Sequence, residues 1–335
     1  MRILVTGAAG FVGFYVAWQL LERGDTVIGV DSLNDYYDPK LKRARLARLE
    51  QKPGFVSEVI DLADHEAVTR VFAENGCDRV AHMAAQAGVR YSIENPQAYV
   101  DSNVTGTLNI LEGCRHHGVE HLVYASTSSV YGASTDMPFS PHGDADHPLA
   151  IYAATKRTGE LMAHAYAHLF GVPSTGLRFF TVYGPWGRPD MAPIHFASKM
   201  VAGESIPVFN EGRHRRDFTY IDDIAEGVVR AIDQTATPNP NWSSDAPDPG
   251  SSNVPWRIYN IGNGESVALM HFIECLESSL GITAAKDYQP MQPGDVEATH
   301  ADVSDLFEAV GYRPQVGVAE GVQRFVDWYR DYYRV

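Results

Sequence analysis

The amino-acid sequence predicts an α/β fold in which helices cover both faces of a parallel sheet, followed by a smaller lobe. Three observations support this prediction. Short apolar segments of strand length alternate with longer helical patterns as far as about residue 180. A glycine-rich turn joins the first of these strands to the first helix. The chain of 335 residues is also long enough for a domain of this kind and a second lobe beside it.

The predicted strands and helices alternate regularly through the first part of the chain. Short, continuously apolar segments are typical of strands that are buried on both faces of a parallel sheet. The predicted strands are residues 2–6, 26–31, 55–61, 78–83, 121–126 and 174–179. The predicted helices between them are residues 11–23, 64–75, 98–117 and 151–170. We therefore expect a doubly wound sheet formed by residues 1–179.

The pattern becomes less regular after this domain, where loops with Pro and Gly separate shorter helices. We assign residues 180–335 to a smaller α/β lobe that binds the substrate. Segments near residues 217–233 and 257–263 are expected to return to the first domain. Residues 235–256 are rich in Pro, Asn, Ser and Asp, which indicates a loop excursion at the surface.

The composition excludes several classes of function. A net charge of −15 argues against nucleic-acid binding, although a few arginines can still line a pocket for a small anion. Three widely separated cysteines have neither metal-ligand spacing nor the even number of a disulfide framework. We find no apolar segment of the about 18 residues that a membrane span requires, and no secretory signal pattern at the first residue. We expect a cytoplasmic protein without a metal site.

The turn after the first strand contains Gly7, Gly10 and Gly13. Gly7 permits a tight turn, Gly10 lets backbone N–H groups approach a pyrophosphate, and Gly13 allows the helix to pack closely on the strand. The phosphates would then lie at a helix N-terminus, where the dipole favours anions. Asp31 ends the second strand, where a carboxylate binds ribose hydroxyls and repels a 2′-phosphate. These residues predict a Rossmann-type domain that binds NAD.

Tyr152 and Lys156 lie four residues apart in a predicted helix, so both side chains project from one face. A free tyrosine has a pKa of about 10 and is a poor base at neutral pH. A nearby ammonium group and the positive nicotinamide ring favour the phenolate. Tyr36 and Lys40 have the same spacing, but Pro39 between them disfavours a regular helix. We therefore predict that Tyr152 is the catalytic base and that Lys156 lowers its pKa.

The glycine spacing and the tyrosine–lysine pair resemble the extended short-chain dehydrogenase/reductase family of NAD-dependent epimerases and dehydratases, and the resemblance covers nearly the whole chain. It implies that Thr127 hydrogen-bonds the reacting hydroxyl. It also implies a homodimer formed through the helices at 98–117 and 151–170. It also implies that further residues contact the NAD cofactor. These are Phe11, Val12, Asn34, Asp61, Leu62, Ala84, Ala85, Gln86, Asn103 and Tyr183.

The second half of the chain resembles the nucleotide-sugar epimerases within that family. Arg215 and Arg216 match a motif whose arginine binds the substrate's diphosphate, so we predict that both contact the substrate; the planar guanidinium suits that role. Residues 291–296, which include Asp295, resemble a later stretch that contacts the nucleoside and phosphate. Many UDP-glucose 4-epimerases have an arginine where this chain has Gln292, which counts against that specificity.

Residues 178–192 contain Thr181 at a position where related enzymes usually have Asn. This stretch and the stretches 31–38 and 86–92 are similar to the UDP-glucuronate 4-epimerases. This resemblance implies interconversion of UDP-glucuronate and UDP-galacturonate through a transient 4-keto sugar, with tightly bound NAD. The alternatives are a UDP-glucose 4-epimerase, a UDP-glucuronate decarboxylase and, in a different class, a non-catalytic dinucleotide-sensing protein.

A 4-keto uronate is a β-keto acid and readily loses CO2, so an epimerase must hold the carboxylate in an orientation that prevents this loss. Hydroxyl and cationic donors suit that purpose. The residues predicted to bind the sugar and its carboxylate are Thr127, Ser128, Ser129, Thr181 and Arg188, with Arg90 from the stretch 86–92 as a further substrate contact.

Overall fold

The structure is a computed structural model that describes residues 1–292 and 294–335; Pro293, within the predicted nucleotide-contact stretch 291–296, lies outside the described residues. The strands are β1 (Arg2–Thr6), β2 (Thr26–Asp31), β3 (Phe55–Val59), β4 (Arg79–His82), β5 (His121–Thr127), β6 (Ser174–Phe179), β7 (Thr181–Tyr183), β8 (Ile206–Phe209), β9 (Arg215–Tyr220), β10 (Trp256–Ile261), β11 (Ser266–Ala268) and β12 (Lys286–Gln289). The helices are α1 (Phe11–Glu22), α2 (Pro39–Glu50), α3 (His65–Asn75), α4 (Tyr91–Glu94), α5 (Pro96–Tyr99), α6 (Gly106–His117), α7 (Ile151–Phe170), α8 (Ala192–Val201), α9 (Ile221–Asp233), α10 (Leu269–Leu280), α11 (Ser304–Val310) and α12 (Val318–Tyr333).

The central sheet has seven strands in the order β10-β6-β5-β4-β1-β2-β3. Each adjacent pair in it is parallel, which confirms the predicted doubly wound α/β fold. The direction of winding reverses between β1 and β4, and a crevice opens at the carboxyl ends of the strands at such a point. The glycine turn follows β1, so the topology places it at this crevice.

Alternate residues of the central strands enter two separate hydrophobic cores. Ile3 and Val5 of β1 pack into one core, which α1 and α9 cover, whereas Leu4 packs into the other. Helices α3, α6 and α7 pack on that second face. Burial on both faces explains why these strands are continuously apolar in the sequence.

Two regions differ from the predicted helices. The segment predicted as one helix at 98–117 is divided by a π-helical turn, Val100–Thr105, between α5 and α6. Helix α2 was not predicted, because Pro39 was treated as a residue that prevents a helix. Pro39 instead occupies the first turn, where a missing N–H costs nothing, and the Asp38 side chain accepts a hydrogen bond from the backbone N–H of Lys40.

Two smaller sheets, β11-β9-β7 and β12-β8, are formed by strands from the second half of the chain. Helices α10 and α12 pack against each other beside them. The segment between α9 and β10 runs along the outer edge of the central sheet, where the Ile258 N–H donates to the Gly250 carbonyl (2.8 Å). This contact shields part of the β10 edge from pairing with another chain. Among the described helices, none has the length and apolar character needed to cross a membrane.

Candidate active site

The glycine turn brings the N-terminus of α1 against the ends of β1 and β4. Gly7 has a φ of +69°, and a Cβ atom on it would lie 2.9 Å from the Ala84 Cα. A Cβ atom on Gly13 would lie 2.1 Å from the Gly7 carbonyl oxygen. Side chains are therefore excluded at Gly7 and Gly13, and the backbone N–H groups at the start of α1 are left to face a ligand.

The Asp31 carboxylate is held in position by the backbone on both sides. Its Oδ2 accepts a hydrogen bond from the Ala9 N–H (3.0 Å), and its Oδ1 accepts one from the Leu33 N–H (2.9 Å). Each carboxylate oxygen can accept a further hydrogen bond. The arrangement suits a carboxylate that receives hydrogen bonds from a pair of ribose hydroxyls.

Lys42 is a residue of this region that the sequence did not reveal. Its ammonium group donates to the Asn34 carbonyl (2.7 Å), contacts the Asn34 side chain and lies 4.6 Å from the centre of the Tyr37 ring. Burial lowers the pKa of Lys42, while the charge of Asp31 raises it. Lys42 lies on α2, so a correct prediction of that helix would have been needed to place it here.

A cleft of about 290 Å³ runs along the carboxyl edge of the sheet and contains most of the predicted cofactor-binding residues. The predicted residues that line it are Gly7, Gly10, Phe11, Val12, Gly13, Asp31, Asn34, Asp61, Leu62, Ala84, Ala85, Gln86, Thr127, Tyr152, Lys156 and Arg188. The structure also places Tyr36 and Lys42 in this lining. Tyr36 was considered in the sequence only as part of the rejected Tyr36–Lys40 pair, so its place at the cleft was not predicted.

Two predicted cofactor-binding residues have other positions. Asn103, in the π-helical turn, accepts from the Gln86 N–H (2.8 Å) and donates to the Gln86 carbonyl (3.0 Å), so it holds this cleft residue from behind. Tyr183 is buried in the core, with its ring packed edge-on against Phe218 and Phe272. Its side chain therefore belongs to the larger hydrophobic core and is not among the residues that line the cleft.

Tyr152 and Thr127 meet where α7 begins and β5 ends. The pKa of the Tyr152 phenol is raised above its usual value, because burial outweighs a hydrogen bond with Thr127 and the positive charge of Arg188, which act to lower it. We predicted that Lys156 lowers this pKa, but the cation that acts on the phenol is Arg188. In the structure Lys156 lies one helical turn further along, where burial lowers its pKa to about 8 and the charge of Glu160 opposes that shift. Lys156 thus keeps its proton at neutral pH.

An ion pair lies beneath these residues with both side chains fully buried. Arg178 donates from Nε and Nη2 to the two carboxylate oxygens of Glu160, each at 2.9 Å. Ser126, directly before Thr127, donates its hydroxyl to the same carboxylate (2.6 Å). Glu160 therefore connects the end of β5 to helix α7, which carries Tyr152. No local pattern in the sequence indicates this pair, because Glu160 lies on α7 and Arg178 on β6.

A larger cavity of about 740 Å³ adjoins the cofactor cleft, and Tyr152 and Arg188 line both. The predicted substrate-binding residues in its lining are Arg90, Thr181, Arg188, Arg216 and Asp295. Ser128 and Ser129 line a smaller adjoining cavity together with Thr181, Arg216 and Asp295. The reacting residues thus lie between a cleft suited to a dinucleotide and a pocket rich in hydroxyl and guanidinium groups.

The two adjacent arginines of β9 face in different directions. Arg216 lines the cavity and donates from Nη2 to Asp295 Oδ1 (2.7 Å), whereas Arg215 is exposed and donates to the Ser266 carbonyl. Successive side chains of a strand point to opposite faces, so only one of the pair can reach the cavity. The structure therefore corrects the prediction that both arginines contact the substrate.

Arg188 is positioned at the junction of the two cavities. Its Nε donates to Asp190 Oδ1 (3.0 Å) and its Nη2 to the Ala87 carbonyl (3.2 Å). Tyr36 also donates to the Asp190 carboxylate (3.2 Å). These contacts hold the guanidinium where its positive charge acts on the Tyr152 phenol.

Comparison with known proteins agrees with this geometry. The model of the NAD dependent epimerase/dehydratase family matches residues 3–262. The chain is 51% identical to Protein CapI of Staphylococcus aureus over 334 residues, covering 100% of each chain. It is 47% identical to the probable UDP-glucuronate 4-epimerase of Rhizobium meliloti over 336 residues, 100% of this chain and 98% of that protein. The crystal structure of the UDP-glucuronic acid 4-epimerase of Bacillus cereus with UDP-glucuronic acid and NAD has a TM-score of 0.86 and 32% identity, covering 99% and 100% of the two chains.

Proposed function

This chain belongs to the NAD dependent epimerase/dehydratase family, and on that premise we propose that it interconverts UDP-glucuronate and UDP-galacturonate. One structural observation carries the choice of a uronate. Arg216 lines both the cavity that contains Tyr152 and a neighbouring pocket, and it would bind the diphosphate. The hydroxyl groups of Ser128, Ser129 and Thr181 line that pocket. Such donors suit a sugar carboxylate.

We also propose that the enzyme acts in the cytoplasm, and its three free cysteines support a reducing compartment.

NAD is the cofactor of this family, and the residues of the cleft fit it. The glycine turn would receive the pyrophosphate at the N-terminus of α1, where side chains are excluded. Asp31 would bind the adenosine ribose, with Asp61 and Leu62 beside the adenine. When bound, NAD accepts a hydride from C4 of the sugar and returns it to the opposite face of the ring, so the reaction needs no external oxidant.

The chain's own residues control the proton of the sugar 4-hydroxyl. Tyr152 accepts this proton as C4 is oxidised and returns it when C4 is reduced. Burial keeps the pKa of the phenol raised although Thr127 and Arg188 act to lower it, so the positive nicotinamide ring of bound NAD would also be needed to favour the phenolate. Lys156, on the same helix as Tyr152, lines the cofactor cleft and adds a positive charge there.

The direct test of this function is product analysis with purified enzyme. UDP-glucuronate should be converted to UDP-galacturonate without added NAD and without net formation of NADH. Conversion to UDP-xylose with release of CO2 would instead identify a decarboxylase. Faster epimerisation of UDP-glucose than of UDP-glucuronate would identify a UDP-glucose 4-epimerase.

We predict that Ser128→Ala and Thr181→Ala weaken control of the uronate carboxylate. Each variant should raise KM for UDP-glucuronate about tenfold, since each loses a hydrogen bond to a charged group. CO2 is lost when the C5–C6 bond lies perpendicular to the plane of the C4 ketone, because the electron pair of that bond then passes into the enolate. Carboxyl-labelled UDP-glucuronate should therefore release labelled CO2 with the variants. Unchanged KM and complete retention of label in both variants would refute this role.

We propose a homodimer formed through α6 and α7, two helices that pack side by side. Their outer surfaces carry the exposed apolar side chains Leu108, Leu161 and Leu169, with exposed fractions of 40%, 57% and 67%. Leu161→Glu should place charges at the interface and produce monomers in light-scattering measurements. Val59→Glu is the matched control, since Val59 is also 57% exposed but lies on β3. A dimer that persists in Leu161→Glu would contradict this interface.

A further inference from the structure

His214 is a buried histidine in the lining of the substrate cavity. Its side chain is 4% exposed, and Arg216 and Asp295 line the cavity beside it. The imidazole Nδ1 lies 3.3 Å from the Glu297 carbonyl oxygen. A carbonyl oxygen only accepts hydrogen bonds, so Nδ1 carries a proton.

The other ring nitrogen, Nε2, has no hydrogen-bond partner among the described atoms. It lies 3.4 Å from Asp295 Oδ2. With Nδ1 protonated, a neutral imidazole directs the lone pair of Nε2 towards this carboxylate, which is unfavourable. A second proton would convert the contact into a pair between an imidazolium and a carboxylate. The charges of the neighbouring groups therefore determine whether the His214 imidazole is neutral or carries a second proton.

The charges around His214 oppose one another. Burial and the positive charge of Arg216 lower the pKa of His214, while Asp295 raises it. The net effect keeps the imidazole neutral near pH 7. The other titratable or charged side chains that line the cavity come from separate elements of the fold: Tyr36, Arg90, Tyr91, Glu94, Tyr152, Arg188, Asp190 and His195.

We propose that His214 is a further ligand of the substrate's nucleoside diphosphate and takes up a proton from solvent when the diphosphate binds. This inference rests on the proposed function, which places a diphosphate at Arg216. The bound phosphates add negative charge within a partly buried cavity, where charges interact more strongly than in water. That charge offsets the influence of Arg216 and stabilises the imidazolium, whose Nε2–H then becomes a donor.

The proposal fixes the sign of a pH dependence. The imidazolium forms more readily in the complex than in the free enzyme, so affinity should rise as pH falls through the pKa of His214 in the complex. Affinity should then level off below the lower pKa of the free enzyme. UDP-glucuronate is the appropriate probe, because the terminal phosphate of free UDP titrates at a pKa of about 6 and would obscure the signal.

The test is calorimetric titration of UDP-glucuronate into the NAD-loaded Tyr152→Phe enzyme, in which turnover is blocked. Titrations between about pH 5.5 and about pH 8.5, in buffers of different ionisation enthalpy, count the protons taken up. We expect uptake approaching one proton and about tenfold weaker binding at the alkaline end, the value of one hydrogen bond to a charged group.

Two substitutions separate the ring nitrogens. His214→Asn keeps a donor near the Glu297 carbonyl but removes Nε2, whereas His214→Gln keeps a polar group near the Nε2 position. Neither amide titrates, so both variants should lose the proton uptake and the pH dependence of Kd. His271→Asn is the control, because His271 is an exposed histidine of α10 and its replacement should change neither quantity.

The outcomes are distinguishable. Proton uptake that persists when His214→Asn or His214→Gln is added to the Tyr152→Phe enzyme would overturn the role of His214, and so would the absence of uptake by the Tyr152→Phe enzyme itself. The number of protons taken up by the Tyr152→Phe enzyme is decisive even if a His214 variant fails to fold. A parent enzyme that does not bind UDP-glucuronate at any pH would instead overturn the proposed function.

Discussion

Tyr152→Phe is expected to lower kcat for epimerisation by about 10²- to 10⁴-fold, the usual contribution of a positioned general base. Phe retains the ring, which packs 6.0 Å from that of Tyr99, and removes only the hydroxyl group whose pKa Thr127 and Arg188 act on. Affinity for UDP-glucuronate and retention of NAD should therefore change little. The measurement is steady-state product formation, combined with calorimetric binding of UDP-glucuronate to the same variant.

Tyr166→Phe provides the control, because Tyr166 lies on the same helix but directs its hydroxyl to Glu112 (2.6 Å). It should retain the activity of the parent enzyme. Full activity in Tyr152→Phe would show that another group accepts the proton. Absence of activity in the parent enzyme, with UDP-glucuronate still bound, would favour the non-catalytic alternative.

The sequence was most informative where local backbone geometry imposes a residue type. Gly7 and Gly13 could be identified because side chains at those positions would collide with neighbouring backbone. The central strands could be located because burial on both faces requires continuous apolar segments. Tyr152 and Lys156 share a helical face, so their spacing alone brings them to the same side of α7.

Features that depend on tertiary direction could not be predicted in this way. The motif around β9 identified an arginine but did not say which of Arg215 and Arg216 faces inward, since that depends on strand register. Pro39 was compatible either with ending a helix or with beginning one, and the choice determined whether Lys42 could be placed. His214 and Glu160 each have near neighbours among their partners, but the contacts of His214 with Asp295 and Glu297 and of Glu160 with Arg178 join separate elements, which no local pattern contains.

Glu160→Gln is expected to lower the free energy of unfolding by about 3–5 kcal/mol, the cost of removing one member of a buried ion pair. Gln has nearly the same shape as Glu, but it leaves the fully buried Arg178 without its counter-charge. Burial acts to raise the pKa of Glu160, but the positive charge of Arg178 and the hydrogen bonds to the carboxylate outweigh it, so the pKa is lowered in the folded state. Its stabilising contribution is therefore present at neutral pH and is lost as pH falls through that lowered pKa. Urea unfolding monitored by circular dichroism measures the effect.

Glu120→Gln is the matched control, because Glu120 is 62% exposed and pairs with Arg79 at 3.6 Å. An exposed pair of this kind contributes less than about 1 kcal/mol. The double variant Glu160→Gln/Arg178→Met removes both buried charges and should recover part of the lost stability. Equal losses in Glu160→Gln and Glu120→Gln would contradict the assignment of Glu160 as a buried anchor.

The same substitution should also alter the pH dependence of catalysis, which separates its electrostatic effect from a loss of stability. The charge of Glu160 raises the pKa of Lys156, which burial has lowered to about 8. Without that charge, the pKa of Lys156 falls further, and its ammonium group loses the proton at lower pH. The alkaline limb of the kcat profile should then move to lower pH in Glu160→Gln. A variant that is destabilised but keeps the parent profile would restrict Glu160 to a structural role.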